Sequence, residues 1–245
     1  MVTKSRYRWN IVYRGLRPFW QSLLDFLYPP NCLICDTYLD SQPGKICADC
    51  WFNLPRLPTP VRNIAVHRGV ETELSSVQVE CLSVWEFADG VQTLIHELKY
   101  FGKKSIAISI ADEMAAVVRA QPDFSAVELI LPVPLHKVRQ RERGYNQSHL
   151  LSVRLAEILQ IPVAENLLLR VRYTQSQSKL SLEARQKNVR DAFKVLRPER
   201  IEGKTCLLVD DVLTTGATLS ACAGCLLQAG AVKVLATTAA QAIKT

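Results

Sequence analysis

The sequence predicts an α/β protein: an open parallel sheet flanked by helices, preceded by a small module that contains four cysteines. Two observations predict it. From about residue 70, strand-like and helix-like segments alternate, which is typical of a parallel sheet with helices on both faces. Before that point, four of the eight cysteines occur as two Cys-x-x-Cys pairs. A chain of 245 residues is long enough for one mid-sized domain and a small module.

Eight segments make up the predicted α/β part. Strands are expected at 77–87, 129–134, 204–209 and 232–238, and helices at 90–100, 105–120, 147–159 and 218–229. The strands at 129–134 and 204–209 are short, continuously apolar runs, as expected for strands buried on both faces. Gly230 ends the last helix.

The chain divides into three predicted parts. Residues 1–28 are basic and aromatic, with apolar residues at roughly helical spacing, and predict an N-terminal helix that packs on the body or, as the alternative, lies on a membrane surface. Residues 29–60 form the cysteine module, which three prolines between 55 and 60 link to the rest. Residues 61–245 form the α/β domain.

Composition and charge exclude several classes of protein. The hydrophobic fraction of 48% excludes a disordered or collagen-like chain. The net charge of +7 favours anionic partners such as phosphates, nucleic acid or an acidic membrane surface. Residues 212–232 carry no charge but are rich in Thr, Gly and Ser, so they predict a loop and a buried helix, with no transmembrane segment. The N-terminus lacks a signal-peptide pattern, so we expect a cytoplasmic protein.

The two cysteine pairs predict a structural zinc site. Eleven residues separate the pairs, and residues 41–44 (Ser-Gln-Pro-Gly) predict a turn between them. Two such pairs can place four thiolates about 2.3 Å from one zinc ion, which leaves no open position for a substrate. Two local disulfides, or four unrelated core thiols, are the alternatives. The expected ligands are Cys32, Cys35, Cys47 and Cys50.

The segment after the strand at 204–209 carries the chemistry. Asp210 and Asp211 come first, and a hydroxyl-rich turn with Gly216 then leads into the helix that is expected from Thr218. Ligands bind at the carboxyl edge of an open parallel sheet, and a helix N-terminus favours a phosphate. Two carboxylates repel a bare phosphate, but they can accept hydrogen bonds from a sugar attached to it. The pattern predicts a site for a ribose 5-phosphate; a strand–helix turn with exposed acids is the alternative.

Residues 209–218 (Val-Asp-Asp-Val-Leu-Thr-Thr-Gly-Ala-Thr) resemble the phosphoribosyl pyrophosphate (PRPP) motif of type I phosphoribosyltransferases. Together with the cysteine module, Leu-Lys-Tyr-Phe-Gly at 98–102 and Arg-Gly-Tyr-Asn-Gln at 143–147, the chain from about residue 23 resembles the ComF family of amidophosphoribosyltransferase-like competence proteins. Residues 1–22 lie outside this resemblance. It implies a type I phosphoribosyltransferase-like fold behind a double zinc ribbon-like module.

The resemblance also implies roles for individual residues. Asp210 and Asp211 would take the ribose hydroxyls and act as the catalytic pair. The 5-phosphate would bind to the turn formed by Thr214, Thr215, Gly216, Ala217 and Thr218. The loop after the strand at 129–134 takes the place of the pyrophosphate loop, with binding expected at Arg141, Arg143 and Gly144. A solvated basic face is the alternative for the neighbouring cations Lys137 and Arg139.

Two further PRPP contacts and a second metal are expected. Lys99 belongs to the motif at 98–102, and Arg185 belongs to residues 170–193, which resemble the mobile loop that closes over PRPP in this superfamily. Closure of such a loop excludes water from the reactive sugar. The resemblance implies Mg²⁺ bound together with PRPP, in addition to structural Zn²⁺.

Two classes of function stay open. The first is a Mg-dependent phosphoribosyltransferase that transfers phosphoribosyl to an unknown acceptor and, by resemblance, is linked to DNA uptake in natural competence and its machinery. The second is a non-catalytic module that senses PRPP or a nucleotide, or binds single-stranded DNA. Residues 131–200 contain 14 Lys and Arg against 6 Asp and Glu, whereas the rest of the chain has a net charge of −1. This local excess exceeds what one small ligand requires, and it suits a DNA groove.

Overall fold

The computed structural model describes residues 30–39, 45–67, 76–101, 104–172 and 192–243. The predicted N-terminal helix at 1–28, the turn at 41–44 and most of the expected mobile loop, including Arg185, lie outside the described residues. The chain divides into two compact units, Met1–Asn53 and Leu54–Thr245.

The first unit contains two short cysteine turns. In the first turn, Cys32 donates its backbone N–H to the Thr37 carbonyl over 2.8 Å, and Asp36 donates to the Cys32 carbonyl over 3.0 Å. The second turn leads into helix α1 (Ala48–Phe52), where the Cys47 sulfur accepts the backbone N–H of Cys50 over 3.4 Å. These hydrogen bonds bend the chain twice and turn the cysteine sulfurs toward each other.

The second unit is built on a five-stranded sheet in the order β1-β2-β7-β6-β3. Its strands are β1 (Val61–His67), β2 (Ser76–Glu86), β3 (Leu129–Pro132), β6 (Thr205–Leu213) and β7 (Lys233–Gln241). Strands β2, β7, β6 and β3 pair in parallel, whereas β1 runs antiparallel to β2. A separate antiparallel pair is formed by β4 (Leu168–Arg170) and β5 (Phe193–Val195).

Five helices of the second unit lie among the described residues. They are α2 (Asp89–Tyr100), α3 (Ser105–Arg119), α4 (Lys137–Arg143), α5 (Gln147–Leu159) and α6 (Ala217–Gln228). Helix α2 is amphipathic, since it buries Val91, Leu94, Ile95 and Leu98. Burying an aliphatic side chain of this size contributes about 1.5–3 kcal/mol. None of the helices formed by the described residues combines the length and apolar character needed to cross a bilayer.

The predicted α/β class with a mostly parallel sheet is confirmed, and residues 212–232 form the end of β6, a turn and helix α6 as expected. Strand β6 runs four residues further than predicted, to Leu213, because its pairing with β7 continues to Gln241. Tertiary pairing here outweighs the low strand propensity of two aspartates. The acid pair therefore lies inside the last part of the strand, and the turn starts at Thr214.

Strands β1, β4 and β5 and helices α1 and α4 were not predicted. The edge strand β1 has seven residues and buries two alternate ones, Ile64 and Val66. Helix α4 occupies the place of the expected basic loop. It lacks an apolar face, and its ends are fixed by local chemistry: the His136 side chain accepts the Val138 N–H over 3.3 Å, and Gly144 ends the helix at φ 75°.

Candidate functional site

The four predicted zinc ligands form one cluster. The sulfur atoms of Cys32, Cys35, Cys47 and Cys50 all lie within 4.8 Å of one another, and those of Cys35 and Cys47 are 3.7 Å apart. Four thiolates around one tetrahedral zinc ion have sulfur atoms about 3.8 Å apart, so the cluster fits the metal. No disulfide joins any of the eight cysteines, all of which the structure describes. The Thr37 hydroxyl lies 3.3 Å from the Cys35 sulfur, and this hydrogen bond lowers the pKa of the Cys35 thiol.

The acid pair lies where β6 ends, and its two carboxyl groups have different partners. Asp211 is buried at 4% exposure and forms an ion pair with Lys99 of α2. The Gln147 side-chain amide donates to the same carboxylate, with 3.4 Å between Nε2 and Oδ1. Asp210 instead accepts the Ser148 hydroxyl over 2.8 Å and the backbone N–H of Asp211 over 2.9 Å.

These surroundings separate the pKa values of the two acids. Burial, reinforced by the charge of Asp211, raises the pKa of Asp210 to about 7. Burial acts in the same direction on Asp211, but the Lys99 charge and hydrogen bonds outweigh it and hold the pKa of Asp211 below its usual value. Asp211 is therefore a carboxylate at neutral pH, whereas Asp210 titrates there.

The turn after β6 has a backbone that only glycine adopts easily. Gly216 lies at φ 82° as the N-cap of α6, and a Cβ at this position would approach Ile64 Cγ2 to 3.0 Å. Thr215 accepts the Ala217 N–H over 3.4 Å, and Arg62 donates to the Thr214 carbonyl over 3.2 Å. A small cleft here is lined by Asp210, Val212, Leu213, Thr214, Gly216, Ala217, Thr218 and Leu219. It combines the N-terminus of a twelve-residue helix with one member of the acid pair.

Arg143 connects the basic helix α4 to the acid pair. Its guanidinium donates to the Gln147 side-chain oxygen over 3.0 Å and to the Tyr100 hydroxyl over 3.3 Å, and it lies 5.0 Å from the centre of the Tyr100 ring. Arg141 is exposed and donates to the Lys137 carbonyl over 3.4 Å. Gly144 donates its backbone N–H to the Gln140 carbonyl over 2.9 Å, so this N–H is already engaged.

Sequence reasoning did not assign roles to Gln147 and Ser148. Both are buried at the start of α5, which Asn146 caps by accepting the Ser148 N–H over 3.1 Å. Asn146 also donates to the Val133 carbonyl over 3.0 Å, which fixes the start of the helix after β3. The signal was an N-cap asparagine followed by two polar residues, of which Gln147 ends the motif at 143–147 and Ser148 comes directly after it.

Two family models match the chain. The double zinc ribbon domain matches residues 23–61, and the phosphoribosyl transferase domain matches residues 146–244. The first contains the cysteine cluster, and the second contains the start of α5, the acid pair and the turn. Structural zinc in the cysteine module is therefore supported by both geometry and family.

The curated relatives include competence and DNA utilization proteins. DNA utilization protein YhgH of Salmonella typhimurium is 33% identical over 84% of this chain and 94% of the relative. Competence protein ComFC of Bacillus subtilis is 30% identical over 86% of this chain and 84% of the relative. Competence protein F of Haemophilus influenzae is 28% identical over 78% of this chain and 87% of the relative.

Among solved structures, glutamine PRPP amidotransferase from B. subtilis aligns with 58% of this chain and 30% of its own chain, at 19% identity and a TM-score of 0.40. The family follows from the curated relatives, two of which are at least 30% identical to this chain and align over 84% or more of both chains. As its motifs predicted, this chain belongs to the ComF family.

Proposed function

We propose that this protein binds PRPP at the carboxyl edge of its sheet and transfers the phosphoribosyl group to an acceptor. The observation that carries the proposal is the convergence at that edge. The acid pair at the end of β6 is followed by a glycine turn and a helix N-terminus, and cationic groups from α2 and α4 reach the pair directly or through Gln147.

The phosphate end of the ligand would bind in the turn after β6. Residues 214–218 offer backbone N–H groups and threonine hydroxyls beside the positive end of the α6 dipole. The positive φ of Gly216 lets the backbone turn toward an anion at this position. This part of the site selects for a phosphate monoester.

The ribose hydroxyls would bind to the acid pair. Asp211, ionised by Lys99, accepts a hydroxyl hydrogen bond, and Asp210 can accept or donate because its pKa is about 7. When pyrophosphate leaves, the sugar develops oxocarbenium character, and a carboxylate next to it stabilises that positive charge. The pair therefore acts on the sugar by positioning and electrostatics, and no strong base is required.

The leaving pyrophosphate would bind to Arg143 and Arg141, with Lys99 as a third cation. A guanidinium matches phosphate oxygens with forked donors. The Gly144 N–H is engaged within the cap of α4, so we assign to Gly144 the left-handed turn that ends this helix and presents Arg143. Arg185 would complete the contacts from the expected mobile loop.

Mg²⁺ would accompany PRPP and neutralise its pyrophosphate. The ion prefers hard oxygen ligands and keeps most of them from phosphates and water. Because Asp211 is already paired with Lys99, we expect the oxygens of the ligand to supply most of the coordination.

The relatives named for competence and DNA utilization suggest that this activity serves DNA handling. The proposal includes the DNA-uptake machinery as a partner and the cytoplasm as the place of action. The test of transfer uses PRPP labelled in the ribose, Mg²⁺ and a cell extract as the source of acceptors. Label should appear in a new compound together with released pyrophosphate, and both should disappear with Asp210→Asn/Asp211→Asn. Tight PRPP binding without any pyrophosphate release would contradict transfer and would indicate a non-catalytic module that senses PRPP.

A second candidate, a single-stranded DNA-binding surface, is favoured by the basic helix α4 next to exposed Tyr100 and Phe101, which pack against His96 at 4.9 and 5.5 Å. Exposed aromatic rings beside cations are suited to base stacking and phosphate contact. DNA affinity that falls steeply with salt and survives the double aspartate change would support this function. Affinity that is independent of salt would contradict it.

A further inference from the structure

Gln147 lies between two charged groups, one of which would contact the ribose of the proposed ligand and the other its pyrophosphate. Its side-chain nitrogen donates to Asp211, and its side-chain oxygen accepts from Arg143. The residue is 3% exposed and is held at the first position of α5 by the Asn146 cap. The side-chain amide of Gln147 therefore forms one hydrogen bond with a residue of β6 and another with a residue of α4.

Only a carboxamide satisfies both neighbours. Asp211 needs a donor because it is a carboxylate, and Arg143 needs an acceptor because a guanidinium only donates. Glutamate would offer a second acceptor to Asp211, lysine would offer no acceptor to Arg143, and asparagine is one methylene shorter.

The contacts close into a ring. Lys99 holds the second oxygen of Asp211, and the next residue, Tyr100, holds Arg143 through its hydroxyl and ring. The members come from α2, β6, and the α4–α5 segment. Among the members of the ring, Gln147 is the one side chain that contacts both charged groups, so a shift of Asp211 is transmitted through it to Arg143.

We propose that Gln147 is a positioning residue that couples binding of the ribose to binding of the pyrophosphate, so that a ribose hydroxyl on Asp211 and a pyrophosphate oxygen on Arg143 favour each other's binding. This inference rests on the proposed function, because it assigns ligand groups to Asp211 and Arg143. It concerns how the two subsites communicate and adds no substrate.

The coupling has a physical basis in orientation. In the ligand-free protein the Gln147 oxygen competes with an anion for the Arg143 donors, and its nitrogen competes with a sugar hydroxyl for Asp211. A ligand group that takes over one of these partners frees one end of the amide. The amide is then held by one of its two hydrogen bonds, so the second ligand group displaces it at lower cost.

Calorimetry in buffer with Mg²⁺ tests this with ribose 5-phosphate and sodium pyrophosphate as probes. Each is titrated alone and then with the other at saturation, which gives a coupling factor. Gln147→Met keeps the length but removes both hydrogen bonds, and Gln147→Glu keeps the acceptor toward Arg143. The matched control is Gln92→Met, which removes an exposed bond to the Phe87 carbonyl.

We expect the coupling factor to fall at least about fivefold in Q147M and Q147E, the lower end of ordinary coupling between sites, and to stay unchanged in Q92M. A wild-type coupling factor in a folded Q147 variant overturns the inference, even if both affinities fall, because Gln147 would then be structural. If the wild-type protein binds neither probe, the proposed function fails with it. Thermal unfolding of each variant shows which of them are folded. If Q147M is not folded, the coupling factor is measured with Q147E.

Discussion

Ser148 donates its hydroxyl to Asp210 over 2.8 Å, at the point where α5 begins and β6 ends. Asp211, the next residue in β6, takes no hydrogen bond from this serine and is held by Lys99 and Gln147. Adjacent carboxyl groups thus receive a neutral donor in one case and a cation in the other. This asymmetry gives the acid pair one fixed charge and one proton that titrates near neutral pH.

Asp210→Asn should stabilise the protein at pH 8. Because burial raises the pKa of Asp210 to about 7, the folded state keeps a proton that the unfolded state has already lost above pH 4. Wild-type stability therefore falls as pH rises from about 4 to 7, and this loss is absent in a variant that cannot ionise. Urea unfolding at pH 4.5, 6 and 8 measures the difference. A D210N advantage that is largest at pH 4.5 would contradict the assignment.

Lys99→Met should destabilise the protein by about 3 kcal/mol or more at neutral pH, since it leaves a buried carboxylate without its cation. The pKa of Asp211 should rise, so the loss should shrink at acid pH. Lys99→Arg keeps the charge and is the control. Equal unfolding free energies for K99M and the wild type at pH 7.5 would show that the ion pair does not hold Asp211 in solution.

Gly216→Ala should destabilise the protein more than Gly203→Ala does. Both glycines have positive φ, which costs a residue with a Cβ about 1–2 kcal/mol. Only at Gly216 would the new Cβ also press against Ile64, at 3.0 Å, whereas Gly203 has open space. Chemical denaturation measures both. Equal losses of unfolding free energy in the two variants would mean that the Ile64 side chain moves away from the new Cβ without destabilising the protein.

Cys32→Ser should remove zinc and lower the melting temperature. A structural zinc site folds together with its metal, so the loss of one of four ligands weakens both the binding of zinc and the stability of the fold. Metal content by atomic emission and thermal unfolding measure the two effects. The control is Cys225→Ser, which lies outside the cluster and should keep one zinc per chain. A C32S protein with full zinc content would show that Cys32 is not a ligand.

The predicted strands and helices that were found all have strong local signals. The apolar run at 206–209 and the amphipathic spacing of Val91, Leu94, Ile95 and Leu98 indicate their structure without tertiary information. The two cysteine pairs likewise predict their cluster, because ligand spacing constrains the geometry. The features that could not be predicted depend on residues that lie far apart in the sequence.

Strand β1 has two buried residues among positions 61–66, whose burial the structure describes, and it becomes a strand by pairing with β2. The partners of the acid pair could not be predicted either, since Lys99, Gln147 and Ser148 lie 62 to 112 positions away from it in the chain. Two adjacent aspartates look equivalent in a sequence. Only the packing of α2 and α5 against β6 makes one a fixed carboxylate and the other a titrating acid.

The central claim is that the edge of the sheet at the end of β6 binds PRPP. Isothermal titration of PRPP with Mg²⁺ into the wild-type protein and into Asp210→Asn/Asp211→Asn tests it most directly. We predict saturable binding at one site per chain and a loss of at least about tenfold in affinity in the variant, since both ribose contacts lose their acceptor charge. No saturable heat with the wild type, or equal affinity in the two proteins, would contradict the claim.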